Sequence, residues 1–218
     1  MDTVRIDTTI DFHKALIDLK KISLGSIFRG VSNCDYQLIP SIGRIKKDIY
    51  IVEKNLMRKF KESAIGYIGR LPNDEYEWLA LAQHHGLPTR LLDWTYNPLI
   101  ALFFAVKNNY ENDGRIYIAW NISQIRNKNR NPYQLKKTYR YRPSFITQRI
   151  INQSSVFTVH SSPEKPYEAK NMMILDIVAN AKHELREMLF KYGVNYKTIY
   201  PGLDGLSRDL KWLETGIY

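Results

Sequence analysis

The chain has 218 residues, 44% hydrophobic and 12% aromatic, a composition that excludes a disordered protein and suffices for one core. Lysine and arginine number 32 against 22 acidic residues, a net charge of +10 that favours a polyanionic partner. No apolar run reaches membrane-spanning length, Met1-Asp2-Thr3-Val4-Arg5 carries no signal-peptide pattern, and the lone Cys34 excludes an internal disulfide and a multi-cysteine zinc site, so a cytoplasmic protein without a membrane partner is expected.

Phe12, Leu16, Leu19 and Ile22 recur at helical spacing and predict a helix over residues 11–22, capped by Asp11 or Thr9, with His13 on its surface. Ser26-Ile27-Phe28-Arg29-Gly30 reads as a strand running into a glycine. An arginine at the end of a buried strand needs an anion, because an unpaired buried guanidinium is costly. A carboxylate such as Asp93 or a bound anion meets that need. Pro40 and Gly43 break the next stretch, and Arg44 is either a second anion contact or exposed. From Asp48 to Ile68, Ile49, Val52, Leu56, Phe60, Ala64 and Tyr67 form an apolar stripe, with Glu53, Lys54, Arg58, Lys59, Lys61 and Glu62 on the solvated face. Asn73 or Asp74 caps a helix that runs to about Gln83 and stops at Gly86.

The segment Gln83-His84-His85-Gly86-Leu87-Pro88-Thr89-Arg90-Leu91-Leu92-Asp93-Trp94-Thr95 is the most concentrated run of polar chemistry in the chain. A polar loop held between two packed elements is where function concentrates. Asn97-Pro98 opens the next helix, and Leu99 to Val106 is apolar all round, so that helix is buried on most sides. Asn112-Asp113-Gly114 is a turn, and residues 114–120 read as a central strand.

Between residues 121 and 142 lie seven cations and no acid: Arg126, Lys128, Arg130, Lys136, Lys137, Arg140 and Arg142. Tyr133, Tyr139 and Tyr141 are interleaved with them. Cations contact phosphates and aromatic rings stack bases, so the tract suits single-stranded nucleic acid; a solvated basic loop is the alternative. Residues 156–159 and 171–178 are strand candidates, residues 181–192 a helix, residues 201–206 a turn and residues 206–214 a last short helix. His84 and His85 are adjacent rather than spaced i, i+4 and no acid–His cluster is evident, so no metal site is expected; no Walker-type or dinucleotide-fold glycine pattern occurs either. The mixture is α+β in one domain: a helical part over residues 1–110 packed on a strand-rich part over 114–178, then helices over 180–214.

Phe28-Arg29-Gly30, Tyr36-Gln37-Leu38-Ile39-Pro40-Ser41, Arg44, the 83–95 segment, Pro98 and Ala101-Leu102-Phe103-Phe104-Ala105 together resemble the FRG domain family. The resemblance extends to Arg149-Ile150, Gln153, Phe157-Thr158 and Tyr200-Pro201-Gly202-Leu203-Asp204-Gly205-Leu206. The motif order is in turn similar to that of ADP-ribosyltransferases: a strand ending in Arg29-Gly30, then Leu92-Asp93-Trp94-Thr95 with a helix behind it, then Gln153 ahead of Val156-Phe157-Thr158.

That resemblance implies a mixed β core flanked by helices and NAD as donor of ADP-ribose, through an oxocarbenium-like transition state. It makes Arg29 the clamp on the NAD diphosphate or ribose, with Gly30, His84, Arg90 and Trp94 around the dinucleotide. Thr95 would bond the nicotinamide ribose or support the third motif, and Gln153 would hold a ribose hydroxyl. The family's usual glutamate is replaced by Gln153, which cannot accept a proton near neutral pH. Either another acid serves, with Asp93, Glu164 and Glu168 as candidates, or the acceptor needs no strong base, or the analogy fails; His84 and His85 are possible bases. The expected activity is transfer of ADP-ribose to nucleic acid, RNA before DNA. The resemblance also suggests a toxin of a toxin–antitoxin or anti-phage system, with an antitoxin as protein partner. Two alternatives stand beside it. One is a non-enzymatic nucleic-acid or protein-binding module using Arg29, Arg90 and Arg149; the other is an NAD glycohydrolase or protein-modifying enzyme.

Overall fold

The computed structural model describes residues 2–18, 25–143 and 151–216. An interior strand of its sheet is β4 (Gly114–Ala119), buried except at Arg115, as a strand covered on both faces must largely be. β2 (Ile27–Val31) and β7 (Met172–Ile177) flank it, both antiparallel to it. β1 (Asp2–Ile6) joins the far side of β7 in parallel. On the other side β3 (Leu91–Thr95), β6 (Ser155–Val159) and β5 (Tyr139–Tyr141) complete the order β1-β7-β4-β2-β3-β6-β5.

The helices occupy this sheet as the apolar patterns require. α4 (Pro98–Val106) lies against β2, and its Asn97 cap accepts from the Leu99 N–H. The helix backbone comes this close because two strand positions have no side chain. A Cβ on Gly30 would stand 1.8 Å from the Ala101 carbonyl oxygen, and one on Gly114 would stand 2.5 Å from that of Ala105. α1 (Thr9–Asp18) and α5 (Lys182–Lys191) share this layer, and Phe12, Phe103, Leu185 and Leu189 belong to its core. α2 (Ile49–Ala64) and α3 (Glu75–His84) form a second core with β3, β5 and β6 around Met57, Tyr76, Leu79, Leu91 and Phe157. Ile27, Leu38, Trp94, Tyr117 and Ile174 form a third core on the opposite face of the central strands. α6 (Tyr196–Ile199) and α7 (Leu203–Thr215) close the chain.

One sheet with helices packed on it bears out the α+β expectation, and the central strand, the Asp74 and Asn97 caps and the Gly86 stop fall where the sequence puts them. Several details differ. The strand read at residues 26–30 is β2, but Leu91–Thr95 is an interior strand rather than the end of a loop, and β1 is a further strand in the part expected to be mostly helical. β1 escapes notice because only Ile6 of its five residues is buried, and β5 because it is three residues long. The α2 helix ends at Ala64, leaving Tyr67 90% exposed rather than on the core stripe. Glu53 is buried, not solvated. The last helix begins at Leu203, because Gly205 packs its backbone onto the Tyr200 carbonyl where a side chain would not fit. Ile22 and Arg149 lie outside the described residues. Among the described residues no helix is long and apolar enough to cross a membrane.

Candidate active site where the sheet divides

β2 and β3 share a single register pair, Phe28 with Thr95, and then part. A pocket of about 210 Å³ opens at the division. β2 contributes Phe28, Arg29 and Gly30, β3 contributes Asp93, Trp94 and Thr95, and α4 supplies Ile100, Ala101 and Phe104 as an apolar wall. Gln83 and His84 close it from the end of α3, and Gln153, Ser155 and Phe157 from the start of β6.

Strand alternation turns Phe28 and Gly30 toward α4 and Arg29 to the other face. The Arg29 guanidinium reaches the seam, where Nη1 donates to the Asp93 carbonyl at 2.6 Å and lies 3.9 Å from Asp93 Oδ2. Its Nε–H is buried without a hydrogen-bond partner. Such a donor costs free energy unless something in the functioning protein accepts from it. Burial draws the Arg29 pKa below its ordinary value; Asp93 opposes that and the Arg44 charge reinforces it.

Asp93 is the only carboxylate lining the pocket among the described residues. Its side chain is exposed and oriented by Gln83, whose Nε2 donates to Oδ2 at 2.9 Å. Gln83 is itself held by the Thr89 hydroxyl, which donates to Oε1 at 2.6 Å. Thr95 Oγ1 accepts from the Asn97 N–H at 3.0 Å, which leaves its own hydrogen to give. Gln153 Nε2 donates to the Ile199 carbonyl at 3.3 Å, so the third segment is braced by the C-terminal helices.

Residues 25–114 match the family model of the FRG domain. Over those residues the chain is similar to the FRG domain. No curated protein and no solved structure matches it. The matched span holds β2, α3, β3 and α4, and so every pocket residue except Gln153, Ser155 and Phe157.

Of the residues picked from sequence, Arg29, Gly30, His84, Asp93, Trp94, Thr95 and Gln153 meet at this pocket. Trp94 borders it, but its indole is committed to the other face, where Nε1 donates to Thr158 Oγ1 at 2.8 Å. His85 is exposed, outside the lining, with its ring against that of His84. Arg90 must be corrected: it is fully buried, paired with Glu53 and covered by the Tyr133 ring, so no dinucleotide reaches it. Glu164 accepts from the Tyr50 hydroxyl away from the pocket, and Glu168 lines a different cavity. Sequence reasoning missed Gln83 and Ser155. Gln83 stood in the polar run as a possible signal, whereas Ser155 is marked only by its register opposite Thr95.

The basic tract divides in two. Tyr141 is a core residue and Tyr133 packs on Arg90, so neither is free to stack a base. Lys128 pairs with Asp74, and Arg140 donates to the Gly25 carbonyl at 3.0 Å. Arg126, Arg130, Lys136, Lys137 and Arg142 remain on the surface around β5, with Arg130 and Lys137 over the Tyr139 ring.

Proposed function

We propose that this FRG domain protein is an NAD-dependent ADP-ribosyltransferase that modifies nucleic acid, RNA before DNA, and acts as a toxin or anti-phage effector restrained by a protein antitoxin. One observation carries the transferase reading. Arg29-Gly30, Thr95 and Gln153, from three distant parts of the chain, line one pocket. At about 210 Å³ the pocket is smaller than sites that enclose a whole ligand, which suits it to the nicotinamide-ribose end alone.

When bound, NAD supplies an ADP-ribosyl group: its bond to nicotinamide breaks, the acceptor atom bonds to the same ribose carbon, and nicotinamide leaves as a neutral base. The residues here would do the rest. Arg29 offers its unpartnered Nε–H to a phosphate or ribose oxygen. Ile100, Ala101 and Phe104 keep water from one side of the reacting centre. Gln153 and Thr95 hydrogen-bond ribose hydroxyls as positive charge grows. Asp93, held by Gln83, takes the acceptor's proton.

The test is incubation of the purified protein with labelled NAD and, separately, RNA, DNA and a protein lysate. Label on RNA, absent with Arg29→Ala, is the expected result. Label on protein moves the acceptor class, and nicotinamide release without a labelled acceptor makes the enzyme a glycohydrolase. No turnover and no NAD binding leaves a basic binding module. The Arg29 bond to the Asp93 carbonyl favours that second reading, because it gives the arginine an internal structural role.

A further inference from the structure

A second cavity, of about 540 Å³, lies against the strand face that α4 does not cover. Its walls come from the exit of β4, the approach to β5 and the loop after β6. Its volume falls within the range of whole-ligand sites, unlike the pocket at the sheet division. Lys137, Lys165 and Lys170 line it against one carboxylate, Glu168. None of the three ammonium groups is paired with a carboxylate among the described residues.

The floor is built by a chain of hydrogen bonds whose direction follows from the donor at its buried end. Trp94 Nε1 can only donate, and it donates to Thr158 Oγ1 at 2.8 Å. Thr158 is fully buried, and the acceptor within reach of its hydroxyl hydrogen is His160 Nε2, also at 2.8 Å. His160 is buried and held neutral, its pKa drawn down to about 3 by burial and by the charges of Arg29 and Arg90. With Nε2 accepting, the ring proton sits on Nδ1, which faces Thr138 Oγ1 at 3.4 Å. In that tautomer Thr138 Oγ1 accepts from Nδ1–H, which leaves the Thr138 hydroxyl hydrogen to give in the cavity it lines. Trp120 and Tyr167 add aromatic surface to the same wall.

We propose that this cavity binds a nucleotide, its phosphate held by Lys137, Lys165 and Lys170 with the Thr138 hydroxyl donating, and its base against Trp120 and Tyr167. Cations with hydroxyl donors suit a phosphate, and an aromatic wall suits a base whatever its identity. The nucleotide comes either free or as one unit of a single strand that continues over the exposed cations around β5. The site does not depend on the transferase reading.

Calorimetric titration tests it, with AMP, a ten-nucleotide oligoadenylate and inorganic phosphate as probes. The protein is compared with Lys165→Ala/Lys170→Ala, Thr138→Val and Arg29→Ala, each checked by thermal melting. Saturable binding weakened about tenfold or more in the double variant and severalfold in Thr138→Val, with melting unchanged, is expected. Arg29→Ala should leave it intact, which separates this cavity from the pocket at the sheet division. Binding of AMP as tightly as the oligonucleotide identifies a free nucleotide, and binding of the oligonucleotide alone identifies a strand. The proposal is overturned by no saturable binding, by affinity unchanged in both cavity variants, or by inorganic phosphate binding as tightly as AMP.

Discussion

Arg90 and Glu53 form a buried ion pair in which nearly every polar atom is used. The Arg90 Nε–H and Nη2–H donate to Glu53 Oε2 at 3.0 and 2.5 Å, and the Arg90 main-chain N–H donates to Oε1 at 3.0 Å. Nη1 lies 3.2 Å from the Pro132 carbonyl and 3.3 Å from that of His160. The pair thus joins α2, the start of β3, the basic tract and the end of β6. Removing one partner strands a charge in the interior, so Glu53→Leu or Arg90→Met should each cost about 3–5 kcal/mol. The double substitution should cost less than the sum of the two, and urea unfolding of the four proteins reads that difference.

Gly30 gives the second prediction. A Cβ there meets helix backbone at 1.8 Å, and backbone cannot rotate away as a side chain can. Gly30→Ala should exceed the roughly 1–3 kcal/mol of ordinary overpacking and displace α4. Gly69→Ala, with nothing within 4 Å of the added carbon, should leave the melting temperature within about a degree or raise it slightly. Equal effects at the two sites would contradict the seating of α4 on β2.

Arg29 separates binding from folding. Arg29→Lys keeps the charge but loses the planar fork, and with it an Nε–H aimed along the guanidinium plane. Under the proposed transferase function, transfer of labelled ADP-ribose should fall at least tenfold while the melting temperature moves by a few degrees or less. A collapse of melting in Arg29→Lys would make the bond to Asp93 a structural requirement instead.

Much of the pocket was legible in the sequence, and the reason is local. Gly30, Gly86, Pro88, Asn97 and Pro98 each mark a backbone constraint readable at its own position, and they bracket Arg29, Asp93 and Thr95. Arg90 was misplaced because its partner is 37 residues away, among helix charges whose spacing resembles an exposed face. Nothing at Glu53 distinguishes it from Glu62, which bonds Arg58 on the surface. Only tertiary packing makes that distinction. Of the second cavity the sequence marked only Lys137, in the basic tract; Lys165 and Lys170 lie on a later loop of mixed charge that tertiary packing alone brings beside it.

His160 makes stability depend on pH. Its pKa is 6.5 when solvated and about 3 in the folded protein, where burial dominates and the charges of Arg29 and Arg90 add to it. Between those values the unfolded chain binds a proton that the folded chain refuses. The contribution is complete above pH 6.5 and is lost as pH falls toward 3, at up to about 1.4 kcal/mol per unit. His160→Gln should remove that slope, so the shift in urea midpoint between pH 7 and pH 5 should be smaller in the variant. An equal shift in both proteins would assign the acid sensitivity to other groups.

Cations on the surface around β5 give the last prediction. Replacing Arg126, Lys136 and Arg142 with glutamine should weaken RNA binding and lower its log–log salt slope by about 0.7 for each phosphate no longer neutralised. An unchanged slope would leave this surface solvated and without a strand.

The single rung between Phe28 and Thr95 has a consequence for how the molecule can yield. On one side of it stand four mutually bonded strands and on the other three, and past that rung the Asp93 carbonyl is met by a side chain, Arg29, in place of a neighbouring amide. The sheet is therefore two leaves sewn by one stitch and a guanidinium clasp. Amides facing the gap should exchange with solvent sooner than those inside either leaf, and whatever draws Arg29 off Asp93 loosens the binding edge of both.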